Sequence, residues 1–169
     1  MSEYEVYKQF NNFSEGYIKV AIKNLITLCD NNIYYQADIE IFPTLFLINH
    51  SIECKMKSLA YIYDIDSAKK GHNIDSILKT VEKNTKNLCL PYTKHYINSL
   101  NKQNWFEESP NLDITRYPNN NKFSLYSHSQ KKDINIQISL TNLLKISIEI
   151  KNEFEKISDI LEEDLNFFK

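Results

Sequence analysis

Glycine is nearly absent from this chain. Its 169 residues hold two, Gly16 and Gly71, and four prolines. A many-turned β fold or a dinucleotide-binding α/β domain needs glycine at its tight turns, so both are disfavoured. Arginine is scarcer still, with Arg116 the single one among twenty basic side chains. Cysteine is limited to Cys29, Cys54 and Cys89. Their odd number, wide spacing and lack of a C-x-x-C pair exclude a zinc knuckle, and Cys54 reads as a buried reduced thiol. No sign of charge dominates: 20 basic against 22 acidic residues give a net charge of −2. The chain as a whole therefore carries no electrostatic footprint for nucleic acid. No apolar run approaches the roughly 18 residues of a membrane span. The polar start, MSEYEVYKQF, has no leader core. The expectation is a soluble cytoplasmic protein with no membrane association.

What is present points to helices. Hydrophobic residues make up 42% and charged residues 25%, a globular composition, and the length suits one domain over 1–169. A first helix is expected from Tyr4 or Phe10 to Cys29, with Phe13, Tyr17, Val20, Ala21, Leu25 and Leu28 at helical spacing. A second begins between Ile39 and Pro43, where proline suits a first turn. Its apolar stripe is Leu45, Ile48, Ile52, Met56, Leu59 and Tyr63. A polar loop follows over 64–71. Asn73 is a cap for a third helix that buries Ile74, Ile77, Leu78 and Val81. A shorter helix starts near Pro91 with Tyr92, Tyr96, Ile97 and Leu100. The last and longest runs from Leu140 to Phe167 on Leu143, Leu144, Ile146, Ile150, Phe154, Ile157, Leu161 and Leu165. Between them, residues 101–132 are the least regular, and a short β-hairpin near 123–138 is the one β element expected. INIQISL, 134–140, alternates as a strand does but also suits the start of the last helix. The fold class is all-α, an antiparallel bundle of four to five helices with a long C-terminal helix.

The second helix, over 42–63, carries the candidate site. His50, Glu53 and Lys57 stand three and four residues apart beside a seam that must be buried, so they share one face. His72 follows in the loop. Arg116 offers the planar guanidinium that forks onto carboxylate or phosphate, and Glu53 is its expected internal partner. Two readings stay open for the set. One is a buried polar network that pins the bundle, in which loss of one member costs on the order of 3–5 kcal/mol. The other is a nucleotide or phosphate pocket, with Arg116 and Lys57 as donors and His50 or His72 as hydrogen-bonding or acid–base groups. The four histidines are too scattered for metal-ligand spacing, and no cofactor motif is present. His95 and His128 are expected at the surface. Tyr92, Tyr96, Trp105 and Tyr117 read as packing aromatics, with base stacking as the alternative.

Three segments taken in order, HSIECKMKSL (50–59), GHNIDSIL (71–78) and RYP (116–118), resemble the HEPN superfamily of helical bacterial and archaeal domains. The resemblance covers roughly Ile41 to Pro118. It implies a helical bundle, commonly a homodimer. It also implies a place in toxin–antitoxin, CRISPR or phage-defence systems, with a minimal nucleotidyltransferase or another defence protein as partner. Many such domains resemble metal-independent ribonucleases, in which a histidine follows the arginine after four to six residues. Here Asn121, Lys122 and Phe123 occupy those positions, and Tyr117 replaces the polar residue often found after the arginine. The resemblance therefore implies a binding and dimerisation module around His50, Glu53, Lys57, His72, Arg116 and Tyr117, taking a nucleotide or RNA phosphate without cleaving it. The alternatives are a ribonuclease that pairs Arg116 with another histidine, and a protein-binding inhibitor or adaptor in phage–host conflict.

Overall fold

The computed structural model of the chain describes residues 2–32, 36–85, 88–102 and 138–167. Among the described residues the fold is all-α, with no strand. Six helices follow in order: α1 (Glu3–Asp30), α2 (Gln36–Ile62), α3 (Asp66–Lys69), α4 (Ile74–Asn84), α5 (Pro91–Lys102) and α6 (Leu140–Phe167). Of the hairpin expected near 123–138, only Ile138 lies within the described residues, just before α6.

α1 starts at Glu3 because Ser2 and Glu5 form a reciprocal cap. The Glu5 N–H donates to Ser2 Oγ at 3.3 Å, and the Ser2 N–H donates to Glu5 Oε2 at 2.7 Å. Its buried face differs from the expected stripe. Tyr7, Asn11, Ser14, Ile18, Ala21, Leu25 and Leu28 face the core, whereas Phe13 and Val20 are 57% and 49% exposed. Two polar residues take the seam because α2 supplies their partners. Ser51 Oγ donates to the Ser14 carbonyl at 2.8 Å, and Lys55 Nζ donates to Asn11 Oδ1 at 2.7 Å. A pattern that scores only apolar positions is rotated by such pairs. The same pairs set the helices antiparallel: position 14 meets 51, and 11 meets 55.

α2 begins earlier than expected, at Gln36, and Pro43 lies inside it rather than in the first turn. The Ala37 N–H donates to Asn32 Oδ1 at 3.0 Å, which satisfies a donor at the helix start. Proline removes the N–H that would reach the carbonyl of Ile39, a residue that lies exposed. Leu45, Ile48, Ile52, Met56 and Leu59 are buried as the stripe requires. Burial of each such side chain contributes about 1.5–3 kcal/mol. Tyr63, past the end of the helix, is exposed instead.

The loop over 64–71 contains the one-turn helix α3. Lys69 ties it down, with its ammonium 2.7 Å from Asp64, 3.1 Å from Asp66 and 3.3 Å from Glu3. α4 follows its expected form: Asn73 Oδ1 accepts from the Ser76 N–H at 3.0 Å, and Ile74, Ile77, Leu78 and Val81 are buried. α5 begins against α6. There Glu153 accepts from the N–H of Tyr92 at 2.7 Å, the N–H of Thr93 at 3.0 Å and the Thr93 hydroxyl at 2.7 Å. A carboxylate at a helix N-terminus satisfies otherwise unpaired donors and meets the positive end of the helix dipole. One hydrophobic cluster joins α1, α2, α4, α5 and α6, with α2 at its centre.

Candidate functional site

Phe46, His50, Glu53 and Lys57 recur on α2 at steps of four, three and four, so their side chains form one row. The turn between α3 and α4 brings His72 to the same place. Glu53 is the hub. Its Oε1 accepts from Lys57 Nζ at 2.8 Å and from His72 Nδ1 at 2.8 Å. His50 Nδ1 approaches Oε2 at 3.6 Å, within ion-pair range but beyond direct hydrogen-bond length. Burial alone would raise the Glu53 pKa. The nearby His50 ring, the donors of Lys57 and His72 and the charge of Lys57 outweigh it and lower the carboxyl to about 2. The neighbouring Cys54 thiol moves the other way: its own burial and the Glu53 charge push it up to about 12, only partly opposed by Lys57.

An ionised carboxylate can only accept hydrogen bonds. The proton between Glu53 and His72 therefore resides on His72 Nδ1, and this fixes the imidazole tautomer. His72 Nε2 is left on the far side of the ring from Glu53, on a side chain that is 65% exposed. His50 is 34% exposed. Phe46 stacks on His50 at 5.3 Å between ring centres, and Tyr17 from α1 meets it edge-on at 4.8 Å. The cluster forms a ledge that runs from the largely buried Lys57 and Glu53 to the exposed His72.

Comparison with family models, curated proteins and solved structures gives no match.

Four candidates read from spacing, His50, Glu53, Lys57 and His72, thus converge on one carboxylate. Arg116 and Tyr117 lie outside the described residues. Among the described residues no group of His, Cys, Asp and Glu side chains is arranged to hold a metal ion, and no helix is long and apolar enough to cross a membrane. Two aromatic neighbours of the cluster were not expected. Phe46 was legible as the next step of the α2 row, four residues before His50. Tyr17 was assigned to the core stripe and instead borders His50, because Asn11 and Ser14 turn α1. A third surprise is Lys55, buried between Asn11 Oδ1 at 2.7 Å and Ser158 Oγ at 2.6 Å. It joins α1, α2 and α6 inside the bundle, and its role is structural.

Proposed function

We propose that the chain is a HEPN-like helical binding and dimerisation module of a bacterial defence or toxin–antitoxin-type system. It acts in the cytoplasm beside a nucleotidyltransferase or another defence protein, and its His50–Glu53–Lys57–His72 ledge receives the phosphate of a nucleotide or RNA. The observation that carries this reading is the Glu53–His72 pair. A carboxylate held ionised orients an imidazole whose second nitrogen is left to solvent. A network serving stability alone has no need of two histidines at the surface. Phosphate and nucleotides are therefore expected to bind at His72. Calorimetric titration of the intact chain with inorganic phosphate and adenosine 5′-monophosphate tests this. His72→Gln is expected to weaken both about tenfold: with Nδ1–H committed to Glu53, Nε2 accepts from a phosphate hydroxyl, and the loss of that hydrogen bond is worth about 1.5–3 kcal/mol. Equal binding by wild type and variant rejects the reading.

The same pair favours one second reading, RNA cleavage by Arg116 together with a histidine. A carboxylate-oriented imidazole is the usual form of a general base that removes a 2′-hydroxyl proton. The missing histidine at 121–123 counts against it. Total RNA incubated with wild type, Arg116→Ala and His72→Gln decides between the two, since cleavage by wild type alone establishes the enzyme.

A further inference from the structure

We infer that the cleft between α5 and the start of α6 binds a small amphipathic anion, an apolar body with a carboxylate head. This site is separate from the His50–Glu53–Lys57–His72 ledge and does not depend on the phosphate reading. The cleft has a volume of about 500 Å³. Small-molecule sites span about 300–1,000 Å³. Leu45 of α2, Leu100 of α5, and Leu143 and Ile146 of α6 line it, and the three leucines belong to the buried core. Its inner wall is therefore apolar, and an apolar occupant gains by removing that wall from water. The same cleft is bordered by two groups that can meet an anion. Lys145 of α6 and His95 of α5 both line it, and neither side chain has an ion-pair or hydrogen-bond partner among the described residues.

The lysine is unpaired for a local reason. Glu149 stands four residues on, the spacing at which lysine and glutamate meet on a helix. Its Oε2 instead accepts from Asn152 Nδ2 at 3.5 Å, further along α6. The Lys145 ammonium therefore stands beside an apolar wall with no carboxylate of the described residues to offset it. A carboxylate supplies the opposite charge and the acceptors that an ammonium needs. An apolar molecule alone leaves the ammonium unmatched. A bare anion such as inorganic phosphate leaves the wall uncovered. An acid with a carbon body behind it answers both.

The test uses the intact chain with three probes, decanoate, decanol and inorganic phosphate, in calorimetric titration at concentrations below micelle formation. Lys145→Met removes the charge from an exposed side chain and keeps its length. Ser99→Phe places a ring in the cleft, at an α5 position whose hydroxyl bonds within its own helix, to the His95 carbonyl at 2.9 Å. Unchanged helical circular dichroism shows that each variant is folded. The expected result is that decanoate binds more tightly than decanol. Lys145→Met should weaken decanoate about tenfold, the scale of one hydrogen bond to a charged group, and leave decanol unchanged. Ser99→Phe should abolish binding of both. In carbon–proton spectra the His95 ring should move with decanoate and stay in place with phosphate, while decanoate leaves His50 and His72 still. Failure of decanoate to bind the wild type overturns the proposal and leaves the phosphate reading standing. Decanoate and decanol binding alike, both insensitive to Lys145→Met, overturns the anionic head. Binding that survives Ser99→Phe in a folded variant, or a His95 ring unmoved by decanoate, overturns the cleft as its place.

Discussion

Glu53 accepts two hydrogen bonds on one oxygen, from Lys57 and His72, while its other oxygen faces His50. Its carboxyl is lowered from 4.5 to about 2, so the folded state holds its proton less tightly than the unfolded chain. A depressed carboxylate contributes stability that is complete above the unfolded pKa and is lost as pH falls through the folded one. The window is therefore pH 4.5 to about 2. The full shift corresponds to about 3 kcal/mol, and solvent screening at this partly open site reduces it to about 1–2 kcal/mol. Urea unfolding followed by circular dichroism should show Glu53→Gln less stable than wild type by that amount at pH 7. The two should converge as pH approaches 2, whereas a gap independent of pH contradicts the assigned charge. At this scale the sequence was readable where partners are local. His50, Glu53 and Lys57 are one helical turn apart, and spacing found them. Lys55 and Ser158 are 103 residues apart and Glu153 and Thr93 are 60, so no local pattern could pair them.

Helices α4 and α6 were readable almost to their ends. Asn73 is an unambiguous cap, and α6 buries Leu143, Ile150, Phe154 and Leu161 as its stripe requires, with Ser147 and Ser158 on the same face. α2 was misjudged at its start because Pro43 looked like a first-turn residue. Packing of α2 along α1 carries the helix through the bond the proline removes. The register of α1 was misjudged because polar seam residues are invisible to a search for apolar positions. Gly16 gives a test of α1 at the level of the element. It lies mid-helix at the surface, and a Cβ added there would meet nothing within 4 Å. Gly16→Ala is expected to stabilise the protein by about 0.5–1 kcal/mol, since glycine has more conformational freedom to lose on entering a helix. Thermal unfolding should rise by about 1–4 °C. A fall in melting temperature would mean that α1 is not helical through this position.

The described residues form an all-α fold with the His50–Glu53–Lys57–His72 cluster at the edge of its core. α2 runs through the centre of the hydrophobic cluster, yet one of its rows sets the largely buried Glu53 and Lys57, with His50, at the edge where His72 meets them. α1 lends Tyr17 to the same ledge, so packing of the bundle and geometry of the site depend on each other. That placement is what makes a phosphate-binding role the account's central claim. Carbon–proton correlation spectra of the histidine rings, recorded as inorganic phosphate and then adenosine 5′-monophosphate are added, test it most directly. His95, exposed on α5 and lining the cleft toward α6, serves as the internal reference. The account predicts that the His50 and His72 resonances move with saturation while His95 stays in place. Resonances of His50 and His72 that remain still, or move no more than His95, would contradict it.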